Sequence, residues 1–307
     1  MALNTKAQSN RSPVPKPPWL KVRLGTGDTF AGLKQILRER NLVSVCEEAR
    51  CPNIGECWSG GTATFMLMGD TCTRGCRFCA VKTSRRGQAL DPDEPLKIAD
   101  AVAQMALDYV VLTSVDRDDL PDQGSNHFAQ TIRAIKLADP RIFVEVLIPD
   151  FKGNSQCLQT IAEAKPEVIA HNLETIRRLT PFVRDQKASY QQSLDVLARI
   201  KELNPELYSK SALMVGLGET QDELLAAMDD LRAVGTDILT IGQYLQPTQK
   251  HLPVQEFIHP DQFAYLQEQA EQRGFLFVAS GPLVRSSYRA GEYFMKHQLE
   301  TDQLKKA

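Results

Sequence analysis

The sequence predicts an α/β protein built on a parallel sheet with helices packed outside it. Two observations carry this. From Gly61 onward, short apolar runs alternate with longer amphipathic stretches through six strand–helix units, the pattern of strands joined by crossover helices. Each connection is long enough to hold a helix, and such connections join parallel strands. Six units are too few for a closed eight-stranded barrel, but a curved, partial barrel fits them, with its chemistry at the C-terminal ends of the strands.

Residues 1–18 read as a loose tail, because SNRSPVPKPP is polar and proline-rich. Residues 19–60 form an N-terminal extension. Trp19 and Leu20 begin it, and Phe30, Leu33, Ile36 and Leu37 give helical spacing between Thr29 and Arg40. The barrel is assigned to residues 61–250. Its first strand is TATFMLMG (62–69). Then come helix 95–108 and strand 109–115, helix 127–138 and strand 142–150, a helix near 155–165 and strand 167–174. Helix 190–203 and strand 211–219, then helix 222–235 and strand 237–245, complete the alternation. Residues 251–307 form a C-terminal extension with helix 260–274, the apolar run FLFVAS and the stretch RSSY.

The 307 residues are 42% hydrophobic and 24% charged, enough for a sizeable core. A formal net charge of −2 gives no global electrostatic case for nucleic acid. No apolar run approaches the ~20 residues of a membrane span.

Six of the seven cysteines lie between residues 46 and 79 as two triplets. The first is Cys46, Cys51 and Cys57; the second is Cys72, Cys76 and Cys79. Six thiolates exceed the four positions around one tetrahedral metal, so two centres are expected. The gaps are four, five, three and two residues, and neither triplet has a nearby histidine. Structural zinc favours two-residue gaps and four complete ligands, whereas three thiolates on a four-iron cluster leave one iron open to a small molecule. A zinc-stabilised binding scaffold is the rival from another class. Disulfides suit short secreted domains, and reduced thiols imply a reducing compartment. The cytoplasm is the expected location. The stretch before Asp28 has no acid and several Lys and Arg, so an organelle matrix reached through a transit peptide is the alternative.

Cys72, Cys76 and Cys79, with Phe78 before the last cysteine, resemble the signature of radical S-adenosylmethionine enzymes. Together with SVCEEARCPNIGECW (44–58) and GPLVRSSYRAGE (281–292), they resemble the lipoyl synthase family across about residues 19–295. The resemblance implies a partial (β/α)6 barrel, two 4Fe-4S clusters and S-adenosylmethionine. It implies radical insertion of two sulphur atoms at carbons six and eight of an octanoyl group held on a lipoyl carrier domain. Cys72, Cys76 and Cys79 then hold the cluster that chelates S-adenosylmethionine. Cys46, Cys51 and Cys57 hold an auxiliary cluster that donates sulphur, with Ser287 as its fourth ligand and Ser286 as the neighbouring candidate. On the residues alone, either serine can instead cap a helix beginning near Arg289. An electron-donor protein and an iron–sulphur carrier that rebuilds the cluster are further implied partners. Biotin synthase places later ligands where only Cys157 lies here, and a transfer-RNA methylthiotransferase carries a larger N-terminal domain and a basic RNA-binding end.

Other candidates fall at strand ends. Ser114 and Asp116 are placed to receive the cofactor's ammonium. Phe78 is a stacking partner for adenine or a core anchor. Glu145, an acid inside IFVEVLI, binds ribose or an amine, or faces outward. Asn172 in HNLE and Gly216 in VGLGE end their strands where backbone can approach a ligand. His171 reads as structural, and Cys157 as a small buried hydrophobe. Arg74, Arg77, Lys82, Arg85 and Arg86 flank the second triplet, either as a solvated surface or as a guide for an acidic carrier.

Overall fold

The computed structural model describes residues 15–21, 28–49, 51, 53–59 and 64–287. Most of the tail, the helix expected near Arg289 and the rest of the C-terminal extension lie outside them.

Seven strands form one parallel sheet in sequence order: β1 (Thr64–Leu67), β4 (Tyr109–Ser114), β5 (Phe143–Leu147), β6 (Val168–Ala170), β7 (Tyr208–Val215), β8 (Ile238–Gln243) and β9 (Phe277–Gly281). Between them run α4 (Glu94–Gln104), α5 (Ser125–Ala138), α6 (Ser155–Glu163), α7 (Thr180–Val183), α8 (Tyr190–Leu203), α9 (Gln221–Ala233) and α10 (Pro260–Gln272). A short parallel ribbon, β2 (Thr71–Cys72) and β3 (Lys82–Thr83), brackets the second triplet. Ahead of the sheet lie a 3-10 turn (Pro18–Leu20), α1 (Asp28–Glu39), α2 (Val45–Glu48) and α3 (Ile54–Ser59).

Local chemistry sets the boundaries. Asn154, Ser189 and Thr220 cap α6, α8 and α9 by accepting from backbone N–H groups, and Glu223 returns the bond at Thr220 as a capping box. Helix α4 starts at Glu94, a residue before the sequence suggests, with Pro95 in its first turn. Strand β5 stops at Leu147, ahead of Pro149, which has no N–H to offer a ladder.

No ladder joins β1 to β9 among the described residues, so the barrel is partial. The sheet nonetheless curls, because Met66 of β1, Thr113 of β4, Met214 of β7 and Thr240 of β8 line one cavity. Alternation then divides each strand. Val110, Leu112, Val144 and Val146 face outward into a core shared with Val102, Phe128, Ile132 and Leu158 of the helices. On the inward face, Tyr109, Val111, Val168 and Ile238 plug the barrel's base with Phe143, Tyr208 and Phe277. The N-terminal extension joins the main core through Leu33, Leu37 and the fully buried Trp58. It docks on β1 by an antiparallel bridge, Ser44 to Phe65, and by the Met66 N–H donating to the Val43 carbonyl at 2.8 Å. Among the described residues no helix is long and apolar enough to cross a membrane.

Candidate active site

The second triplet lies on the loop after β1, at the C-terminal end of the sheet. Backbone bonds fasten this loop on several sides. The Thr73 N–H donates to the Asp116 carbonyl at 2.9 Å, and the Arg77 N–H to the Val183 carbonyl at 2.9 Å. The Leu252 N–H reaches the Arg77 carbonyl at 3.2 Å, and His251 Nε2 lies 2.8 Å from the Cys79 carbonyl. Beneath the loop, Arg74 is buried. Its guanidinium forks onto both Asp118 oxygens at 3.1 and 3.0 Å and both Asp150 oxygens at 2.7 Å, with Asp116 at 3.3 Å. Burial disfavours its charge, but the carboxylates outweigh that and raise its pKa. Burial also opposes ionisation of Asp118, yet the bonds from Arg74 and Lys187 hold it at about 2.

Burial pushes the thiols of Cys72 and Cys76 up to about 12 and that of Cys79 up to about 11, and each feels the charge of another of the three. Such thiols stay protonated until a metal replaces the proton. Backbone N–H groups wait on two of the sulphurs. Arg74 and Asp116 donate to Cys72 Sγ at 3.4 and 3.3 Å, and Asp185 donates to Cys76 Sγ at 3.3 Å. Among the described residues, no three His, Cys, Asp or Glu groups converge where a single metal ion would sit. Structural zinc gathers four ligands on one ion, whereas a multi-iron cluster takes each thiolate on a different iron. The all-thiol donor set, preorganised by backbone dipoles, fits such a cluster.

The triplet opens on a cavity of about 610 Å³. Phe78 lines it and also packs on the core, as the anchor reading expects. Ser114 ends β4 in the cavity wall, its buried Oγ without a partner among the described residues. Asp116 lines the cavity too; burial lifts its carboxyl to about 6, although Arg74 opposes the rise. Asn172 reaches the wall and donates to Glu174 Oε1 at 3.0 Å. This mixed lining suits a ligand with charged, polar and apolar parts.

Two expected residues are elsewhere. Glu145 is on the inward face but one layer too deep, since Leu147 two positions on already forms the wall. Its carboxylate accepts from Tyr109 and Lys210, both at 2.5 Å, inside the barrel. Gly216 does not reach the cavity. It turns the chain out of β7 at φ 101°, and its N–H donates to Glu219 at 2.9 Å.

Glu174 and Arg184 line the cavity without having been expected there. Glu174 closes the HNLE run, a signal that was available. Arg184 has none, since it reaches the wall only because α7 and α8 fold under the loop, where its NH1 donates to Ser193 Oγ at 2.7 Å. Burial first, and then the nearby Arg184 charge, hold His171 down to about 4. Its ring is fixed between the Ile148 carbonyl and Ser193.

The first triplet sits beside this cavity. Cys46 and Cys51 share its wall, and all three cysteines surround a small pocket with Asn53, Thr64, Arg285 and Ser287. Ser286 and Ser287 both line the large cavity, but only Ser287 also lines the small one. Burial, then the charge of Cys46, raises Cys51 to about 11, while Arg285 counteracts. The loop carrying Arg285 crosses β8 at Gly242, where a Cβ would meet the Val284 carbonyl at 2.0 Å. Asn53 Nδ2 donates to the Leu283 carbonyl at 2.5 Å and ties the two ends of the chain together. The three thiols and the serine hydroxyl fit a second cluster.

Residues 66–231 match the radical SAM superfamily, and residues 3–51 match the N-terminal domain of lipoyl synthase of that family. The chain is 59% identical over 284 residues to a mitochondrial lipoyl synthase of Culex quinquefasciatus, spanning 91% of this chain and 75% of that protein. It is 56% identical over 289 residues to the mitochondrial lipoyl synthase of Drosophila melanogaster, spanning 92% and 77%. In solved structures its fold is similar to the hydrogenase maturase HydG of Carboxydothermus hydrogenoformans, with TM-score 0.52, 13% identity and 88% and 70% of the two chains covered. It is also similar to Streptococcus suis SuiB bound to its precursor peptide, with TM-score 0.56, 11% identity and 82% and 52% covered. At that identity the likeness shows the fold alone. The two relatives, more than half identical over most of their length, show that the chain belongs to the lipoyl synthase family of radical S-adenosylmethionine sulphurtransferases.

Proposed function

We propose that the enzyme inserts two sulphur atoms at carbons six and eight of an octanoyl group attached to a lysine of a lipoyl carrier domain. One observation carries the reading: both cysteine triplets open on the same cavity of about 610 Å³. When bound, a cluster with S-adenosylmethionine at one triplet supplies hydrogen-abstracting radical chemistry, and a cluster at the other supplies sulphur.

Cys72, Cys76 and Cys79 hold the first group, on a loop that Arg74 keeps from moving. Ser114, Asp116, Asn172 and Glu174 offer polar contacts to the bound cofactor. Cys46, Cys51, Cys57 and Ser287 hold the second. A serine oxygen is a hard ligand on soft iron and leaves readily, which suits a cluster that gives up sulphur. Val45, Met66, Leu147, Ile148 and Met214 give the wall apolar stretches for an acyl chain and exclude water from it. The tail (1–18), the N-terminal extension (19–60), the barrel expected at 61–250, whose sheet β9 carries on to Gly281, and the rest of the C-terminal extension (251–307) then act as one unit, the extensions supplying the sulphur side. An electron donor and an iron–sulphur carrier complete the cycle. The relatives' mitochondrial location favours an organelle matrix over the cytoplasm.

Isotope labelling tests the reading. Protein reconstituted with heavy sulphide passes heavy sulphur to an octanoylated carrier when both triplets are intact. The variant with Cys46, Cys51 and Cys57 all changed to Ala still cleaves S-adenosylmethionine but yields no sulphur product. Labelled product from that variant would overturn the donor assignment.

A further inference from the structure

The charges that face the two triplets have opposite sign. The Asp116 carboxylate disfavours the thiolate at all three cysteines of the second, and Glu174 adds to this at Cys79, while Arg184 opposes it at Cys76. Beside the first triplet the sign reverses. The charge of Arg285 favours the Cys51 thiolate. No carboxylate among the described residues lines the small pocket around Cys46, Cys51 and Cys57, and Glu47 and Glu48 of α2 border neither that pocket nor the large cavity.

The arginine beside each triplet differs in the same way. Arg74, beneath the second, is neutralised by Asp116, Asp118 and Asp150. Arg285 has no carboxylate partner among the described residues. A guanidinium carries five N–H donors. The hydrogen bond that Arg285 makes runs from Nη1 to the Val284 carbonyl at 2.6 Å, which leaves most of that capacity unused. Burial disfavours its charge, and the nearby Cys51 is the group that favours it. A half-buried cation without a counter-ion is costly, so this one calls for an anion.

The side chain is also held in place. Asn53 donates to the Leu283 carbonyl at 2.5 Å, and the Val284 N–H donates to the Gly281 carbonyl at 3.1 Å. Arg285 then lies over Gly242 of β8, where an added Cβ would be 3.4 Å from Nη1. It lines both the small pocket and the large cavity, two residues before Ser287.

We propose that Arg285 is the counter-ion of an anionic iron–sulphur centre at the first triplet, and that its charge raises the reduction potential of that centre. The inference rests on the donor reading above and deepens it. Three thiolates and a serine oxygen make such a centre negative, and the unused donors of Arg285 suit its sulphur atoms. Sulphur donation also leaves an electron over: a carbon radical brings one, a sulphide lone pair brings two, the new C–S bond keeps two, and the third reduces an iron from ferric to ferrous. A fixed cation stabilises that added electron, which makes Arg285 a positioning residue for the transfer.

The test uses the full chain with Cys72, Cys76 and Cys79 changed to Ala and reconstituted with iron and sulphide, so that only the first triplet carries a centre. Its reduction potential is read by electron paramagnetic resonance. Adding Arg285→Gln should lower the potential enough to change the oxidised-to-reduced ratio at least tenfold, about 59 mV for one electron. Arg285→Lys keeps the charge and should hold most of the parent's potential. It perturbs the same position, so it guards against a folding defect in the Gln variant. A chelator should take iron faster from the Gln variant than from the Lys variant. A Gln variant with the parent's potential, or a Lys variant shifted as far as the Gln one, would overturn the counter-ion role alone. A parent protein that assembles no centre at the first triplet would instead remove the donor reading, and this inference with it.

Discussion

The two cysteine triplets are neighbours on one cavity but are held by different forces. The loop of Cys72, Cys76 and Cys79 is pinned by charge. Arg74, at 3% exposure, joins carboxylates that follow β4 and β5, and Gln192 of α8 adds a bond to Asp150 at 2.5 Å. The segment of Cys46, Cys51 and Cys57 is held by packing. Trp58 is buried against Phe30 at a ring separation of 5.1 Å, and Leu33 and Leu37 extend the contact. Its closure comes from the far end of the chain, through Asn53 and Leu283. A directional charge network leaves a loop one arrangement, because every alternative strands a buried charge. Apolar packing closed at its far side by one side-chain latch lets the latch open while the packing and the backbone bonds to β1 persist. Under the proposed function one cluster would stay and the other would be refilled, and these opposite supports suit that division.

The comparison breaks most visibly at Arg74. In Arg74→Met, Asp118 keeps Lys187 and Lys152, and Asp150 keeps Gln192, but Asp116 retains only its contact with Cys72. Uncompensated buried charge predicts a loss of about 3–5 kcal/mol, read from urea denaturation. Hydrogen exchange of the same variant should quicken most in residues 72–79, with α1 to α3 following only the global change. A loss below about 1 kcal/mol, or equal quickening in both regions, would show that the clamp is not what holds the loop.

Acid separates the regions by a smaller amount. His171 lies under the charged loop and has its pKa held down to about 4 by burial and by Arg184. The unfolded chain takes up this proton near pH 6.5, the folded protein only near 4, so the stabilisation is complete above 6.5 and is lost as pH falls toward 4. Between pH 7 and pH 5 this one group removes about 2 kcal/mol. His171→Gln should flatten that part of the pH profile, and matching urea-midpoint profiles for variant and wild type would refute the assignment. The packed N-terminal segment has no counterpart to this histidine among its core residues, so exchange rates there should follow only the global change.

These features were unequally visible in the sequence. Local periodicity sufficed for α8, whose span is the one the spacing predicts. It also placed the apolar centre of each strand, because both faces of a buried parallel strand are apolar. What it could not supply was depth. Glu145 and Leu147 share a face, and only the packed barrel shows which layer meets the cavity. Nor could it assign Arg74, which looked like one more surface cation in a basic run. Its partners Asp118 and Asp150 lie 44 and 76 residues away and meet it only when β4 and β5 pair. Ser287 is a similar case. Its position beside the first triplet depends on the loop after β9 crossing Gly242, a long-range contact that no local pattern encodes.

The smallest expected effect probes the latch itself. Asn53 is buried, and its Nδ2 donates to the Leu283 carbonyl, while its Oδ1 has no partner among the described residues. Asn53→Ala removes one hydrogen bond between the first triplet and the loop that carries Ser287. It also removes a buried acceptor that nothing satisfies, so the two consequences partly offset. The global cost should therefore be about 1 kcal/mol or less. The local consequence should be larger in kind. With the latch gone, the loop carrying Ser287 keeps its Val284 contact over Gly242 but loses its tie to Asn53, and the small pocket opens to solvent more often. In the reconstituted enzyme, a chelator should then remove iron faster from the first triplet, with its rate of loss from the second unchanged. Ser287→Ala offers the control. If the serine is a ligand, it should accelerate the same loss without any change in the urea midpoint. If it is only a helix cap, it should lower the stability read from urea denaturation by about 1 kcal/mol and leave iron release alone. Equal acceleration at both triplets in Asn53→Ala would mean that the two regions open together, and the division between a clamped site and a latched one would fail.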